Sequence, residues 1–111
     1  SDLSAYSGAI FETYVISEII KGYTNNLIEP RKHLYYYRDN NGKEIDLLVI
    51  NNDNIYPVEI KKNANPNKDS IKNFDIVNKF EMESPNGIVL CMANNIRPIN
   101  DKNYIVPIEY I

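Results

Sequence analysis

Two strand-like runs, Glu44–Ile50 and Ile55–Lys61, flank Asn51-Asn52-Asp53-Asn54, and this pairing constrains the chain more than any other feature. Ile45, Leu47 and Val49 alternate along the first run, as do Tyr56, Val58 and Ile60 along the second. Residues two apart share a face of a strand, so the alternation predicts a hairpin with one continuous apolar face. The connector has the composition of a tight turn. A loop centred between Asn52 and Asp53 sets Asp46 opposite Glu59 and Glu44 opposite Lys61. The second face of the hairpin then carries Glu44, Asp46, Glu59 and Lys61. Two carboxylates facing each other across a ladder repel, and a cation between them reverses the sign of that interaction. Two plainer arrangements compete with a metal site. Glu44 and Lys61 would form an exposed ion pair of little energetic weight, with Asp46 and Glu59 both in water. Alternatively Pro57, which lacks a ladder donor, would introduce a bulge and shift the register.

The stretch Leu3–Tyr23 has helical periodicity, with Phe11, Val15 and Ile19, and Ile16 and Ile20 beside them, on one side. Glu12 falls near the middle of that apolar arc, and Gly8, one turn back, leaves room for another element to approach. A carboxylate there is costly unless it is paired, protonated or metal-bound. A salt bridge to a core-facing Lys or Arg is the simplest alternative. A polar connection, Thr24–Lys32, leads to a strand over His33–Arg38 and a turn at Asp39-Asn40-Asn41-Gly42. Asn65-Pro66-Asn67 has the composition of a helix start, and Ile71, Phe74, Val77 and Phe80 mark one face of a second helix. Ser84-Pro85-Asn86-Gly87 ends it. Gly87–Met92 suits a buried strand, and Tyr104–Ile111 a last strand broken by Pro107. The order α-β-β-β-α-β-β has no internal repeat and predicts a single α/β domain over 1–111.

A chain of 111 residues can bury one core, and no apolar run approaches the roughly 20 residues that span a bilayer. The net charge of −3 argues against coating nucleic acid by charge alone. It leaves a nuclease open, because metal-binding carboxylates are acidic until the metal arrives. Cys91, alone and inside Ile88-Val89-Leu90-Cys91-Met92, is expected to be a core thiol. The absence of a second cysteine fits a cytoplasmic protein. Ser1-Asp2-Leu3 leads straight into the first helix, which suggests a piece of a longer protein.

An acidic residue on one strand, Glu-x-Lys on the next, and a preceding helix with its own Glu resemble the PD-(D/E)xK nuclease superfamily, which includes restriction endonucleases and Holliday-junction resolvases. The matching residues are Asp46, Glu59-Ile60-Lys61, and Glu12 within Gly8-Ala9-Ile10-Phe11-Glu12. Ile45 stands where the name-giving proline would be. The element order is similar to that superfamily's αβββαβ core, so a restriction-endonuclease-like mixed sheet is expected. Gly8–Glu18, Tyr35-Tyr36-Tyr37-Arg38-Asp39 through Glu44-Ile45-Asp46, and Tyr56–Lys62 more closely resemble a C-terminal domain of unknown function attached to prokaryotic AAA-type ATPases. No Gly-rich phosphate loop is present in this sequence.

The resemblance implies Mg²⁺ or Mn²⁺ held by Asp46, Glu59, Glu12 and the Ile60 carbonyl, with Lys61 completing the catalytic set. DNA would be the substrate and an N-terminal ATPase region the partner. It equally allows a catalytically silent module that binds DNA or protein, or a regulatory domain whose carboxylates are salt-bridged to Lys61 and Arg38. By the parity of alternation, His33, Tyr35 and Tyr37 share the acidic face. Packing or solvation is the default role for all three, and solvation for Lys62, Lys68 and Lys72.

Overall fold

Ser7 sets the start of the first helix. Its hydroxyl accepts from the Ile10 N–H at 3.3 Å, and α1 runs Gly8–Asn25. In the computed structural model, which describes residues 5–111, Ala5–Ser7 precede the helix. The expected start at Leu3 lies outside the described residues. The far end closes where the Asn26 side-chain amide donates to the Gly22 carbonyl at 2.7 Å and Leu27 turns to φ 61°.

Six strands follow: β1 Leu34–Arg38, β2 Glu44–Asn51, β3 Asn54–Ile60, β4 Gly87–Cys91, β5 Arg97–Pro98 and β6 Asn103–Pro107. They form one mixed sheet in the order β1-β2-β3-β4-β6-β5. The β1-β2-β3 meander is antiparallel, β3-β4 and β4-β6 are parallel, and β5 runs antiparallel to β6. The mixed α/β class is as expected. Two strand details differ from the sequence reading. The two-residue β5 carries no alternation to read, and β6 stops at Pro107, whereupon Ile108–Tyr110 form a 3₁₀ turn.

The second helical segment forms as two 3₁₀ pieces, Lys68–Ile71 and Phe74–Lys79, rather than one α-helix. Asn67 caps the first through its side chain, which accepts from the Asp69 N–H at 3.0 Å. The physical reason lies in the apolar spacing. Ile71, Phe74, Val77 and Phe80 recur every three residues, and three is the period at which 3₁₀ side chains eclipse. All four pack toward the sheet.

Both faces of the sheet are covered. On one, Phe11 and Val15 of α1 meet Leu47, Val58, Ile60 and Leu90. On the other, the 3₁₀ pieces supply Phe74, Ile76 and Val77 against Ile45, Leu48, Ile55, Val89 and Ile105. Cys91 is buried on this second face, and burial pushes its thiol pKa up, as suits a core residue. Among the described residues no helix is long and apolar enough to cross a membrane.

Candidate metal centre

The site is built where β2 and β3 stop pairing. Their ladder runs from Asn51↔Asn54 to Leu47↔Val58 in the register that the turn dictates. One pair further on, side chains take over the backbone's role. Glu59 Oε1 accepts from the Asp46 N–H at 3.3 Å, and Asp46 Oδ2 accepts from the Ile60 N–H at 2.8 Å. The two carboxylates thus meet across the opened strands, each occupied on one oxygen by the other strand's backbone.

A β-bulge aims Asp46. Tyr35 pairs with Leu48 and Tyr37 with Ile45, so Tyr36 is opposed by both Asp46 and Leu47. Two residues against one is the signature of a bulge, and it resets the alternation along β2. Leu47 and Val49 face α1, whereas Ile45 joins Leu48 in the core on the opposite side. The single apolar face expected for Ile45, Leu47 and Val49 is therefore broken at this point. The bulge sits in β2, not at Pro57. Lys61 N–H donates toward β4 and Ile55 N–H to Glu83 O on that same side. Pro57 shares their parity, and β4 pairing begins only at Val58, so its missing donor leaves no rung empty.

The reset brings Glu12 into play. It is half-buried on α1, its pKa raised first by burial and then by Asp46, with which its carboxyl is close enough to share a proton. Glu44 raises it further, and Lys61 acts in the opposite direction. Glu59 is pushed up to about 7, again by burial first and by the Asp46 charge second. Lys61 Nζ lies 3.8 Å from Glu59 Oε2, and its own N–H is anchored on the Leu90 carbonyl at 2.9 Å. Asp46 is thus the middle member of a row, Glu12–Asp46–Glu59, with one lysine beside it.

A family profile described as "Domain of unknown function (DUF4143)" matches residues 7–111. The chain belongs to that family. No curated protein and no solved structure matched it.

The donor chemistry of this DUF4143 chain suits a hard divalent cation, which prefers oxygen ligands. The spacing does not amount to a ready-made cage. Among the described residues, no three His, Cys, Asp or Glu side chains form a group that could hold a metal ion. Asp46, Glu59, Glu12 and Lys61 are brought to one place, but as a row joined through Asp46.

Other expected neighbours are elsewhere. Glu44 does not face Lys61, because β3 ends at Ile60; it pairs with Arg38 across β1, at 3.7 Å. Tyr37 packs edge-on against Phe80 on the side away from α1, and Tyr35 is exposed. Tyr36 takes the place expected for them. Its phenol pKa is raised by a hydrogen bond to Glu44, with Asp46 adding to the effect. His33 lies beside Tyr23 and holds the Ile50 carbonyl at 2.7 Å through Nδ1, a structural position. No sequence signal marked Tyr36, because Leu47, Leu48 and Val49 keep ordinary alternation and the parity breaks only between Ile45 and Leu47.

Proposed function

We propose that this domain hydrolyses phosphodiesters of nucleic acid, most simply DNA, with Mg²⁺ or Mn²⁺ held at the Glu12–Asp46–Glu59 row. The observation that carries this reading is the unbalanced charge of the row. Two of its three carboxyls have raised pKa values, and burial with mutual repulsion is the cause. Such a row gains most from a cation that displaces its protons. Asp46, Glu59, Glu12 and the Ile60 carbonyl would hold the ion. When bound, it supplies Lewis acidity: an acidified water and compensation for charge on the phosphate. Lys61 would orient that water or offset charge on the phosphorane-like transition state. The resemblance of the motif to the PD-(D/E)xK superfamily supports the same assignment, and an ATPase region preceding the domain would be its partner.

A second reading, a catalytically silent module binding DNA or protein, draws on a specific observation. Asp46 and Glu59 each spend an oxygen on backbone N–H groups, Lys61 is paired with Glu59, and among the described residues no three-donor group is assembled. Calorimetric titration of Mn²⁺, with Asp46→Asn as control, separates the two. Saturable binding lost in the variant, followed by cleavage of linear or branched DNA, is the expected result. Absence of binding at millimolar Mn²⁺ removes intrinsic catalysis and leaves the silent module.

A further inference from the structure

The sheet has two edges, and they are treated differently. β5 guards one with two residues, the second of them Pro98, and Arg97 ties its guanidinium to Asn65 Oδ1 at 2.6 Å. The other edge is β1, which contains Tyr35-Tyr36-Tyr37 and neither proline nor glycine. Alternate residues of β1 bind β2. The His33 carbonyl accepts from the Ile50 N–H at 2.7 Å, and the Asp39 N–H donates to the Lys43 carbonyl at 3.0 Å. The odd-numbered residues between them therefore face β2. The N–H and C=O groups of Leu34, Tyr36 and Arg38 point outward, and no other described backbone group bonds to them. A strand of aromatic residues with such a row of open groups is a template for another strand.

The side chains leave the edge accessible on both faces. Leu34 packs toward α1 and Tyr37 toward the opposite core, so Tyr36 and Arg38 share the first side and Tyr35 the second. Tyr35 and Tyr36 are both exposed. α1 lies over Leu47, Val58, Ile60 and Leu90 of β2, β3 and β4, which keeps it clear of β1.

The occupant that fits this edge is the same strand, run antiparallel about a two-fold axis at Tyr36. In that register Leu34 meets the partner's Arg38 and Tyr36 meets the partner's Tyr36, so every outward backbone group faces another outward group. Tyr36 pairs with its own copy on one face, and Tyr35 with the partner's Tyr37 on the other. Aromatic pairs across a ladder stabilise it. The charges also agree. Arg38 falls opposite an apolar residue with the partner's aromatic Tyr36 diagonal to it, and Asp39 comes alongside the partner's Lys32 and His33. No like charges face each other.

We infer that β1 is a self-pairing edge, through which two copies of this domain join their sheets into one. The inference does not depend on whether the carboxylate row holds a metal. The test is sedimentation equilibrium of the chain from micromolar to millimolar concentration, with amide hydrogen exchange measured at both ends of that range. The expected result is a species of twice the 12.8 kDa of one chain. Exchange at Leu34, Tyr36 and Arg38 should slow about tenfold in it, with Tyr35 and Tyr37 unchanged. Tyr36→Lys sets two lysines face to face and should weaken association about tenfold. Tyr36→Pro removes an outward N–H that β2 does not use, and should abolish association while far-UV circular dichroism is retained. A chain that stays monomeric at millimolar concentration would leave the edge to a strand of some other protein and overturn the proposal. A dimer that survives Tyr36→Lys unchanged, or whose Leu34, Tyr36 and Arg38 amides exchange as in the monomer, would place the interface elsewhere and overturn it as well.

Discussion

The two ends of the β2–β3 hairpin are built on opposite principles. At the closed end, Asn52 and Asp53 both take positive φ (52° and 65°), as a two-residue primed turn requires, and five successive pairs follow. At the open end the ladder stops, a bulge inserts into β2, and carboxylates accept the N–H groups that a further rung would have used. The closed end satisfies the backbone with backbone. The open end satisfies it with charged side chains whose protonation then becomes negotiable. Strength at one end permits the local disorder of bonding at the other.

If that division is right, damage to the closed end should be felt as stability alone. Leu48 is buried opposite Pro57, within the cluster of Ile45, Ile55, Ile76 and Val77. Leu48→Ala should cost about 3 kcal/mol, the middle of the range for buried leucines. A urea denaturation midpoint measures it, and a loss below about 1 kcal/mol would mean that the core on this face is loosely packed. The turn is the next most sensitive place. Asp53→Val puts a β-branched residue at φ 65° and should cost about 2 kcal/mol. Asp53→Gly should be close to neutral. Equal losses in the two variants would point to the Asp53 side chain rather than to the backbone.

The contrast also explains what the sequence could and could not reveal. The hairpin register was legible because a two-residue turn and alternating apolar residues determine it together. Glu12 was legible as a carboxylate on an apolar helix face. The consequence of the bulge was not, because a single extra residue flips every following side chain while leaving composition unchanged. Tyr35, Tyr37 and Ile45 were misplaced for that one reason. The second helical segment was a different kind of miss. The spacing Ile71, Phe74, Val77, Phe80 is compatible with a helix of either period over so short a span, and a perfect run of threes favours the tighter one. Ser7 as the helix cap was open to a reading by residue type and position. Nothing in the two residues of β5 announces a strand.

At the open end the sign of a substitution should reverse. Glu59 has its pKa raised from the ordinary 4.5 to about 7 in the metal-free domain. A carboxyl that is harder to ionise folded than unfolded favours the folded state while protonated. Its contribution is therefore fully present below about pH 4.5 and is lost as pH rises through about 7. Glu12, shifted in the same direction, adds to the same trend. With a chelator present, urea midpoints should fall between pH 5 and 8. Glu59→Gln, which keeps an oxygen for the Asp46 N–H but carries no charge, should flatten that fall and gain about 1 kcal/mol at pH 8. A wild-type midpoint that holds level or rises over this interval would show that Lys61 already neutralises the row, and would favour the silent module.

The smallest effect should come from the pair nearest the site that is nevertheless not of it. Arg38 and Glu44 lie 3.7 Å apart, both largely in solvent. Such pairs contribute little, and Glu44→Gln should change stability by only a few tenths of a kcal/mol. Glu44 also raises Glu12 and holds Tyr36, so its removal should still register as a relaxation of both groups toward their ordinary pKa values. A titration of Glu12 followed by carboxyl ¹³C shifts reads this directly. A change in stability above about 1 kcal/mol would place Glu44 among the groups that hold the open end together, and would move the boundary of the site one residue toward β1.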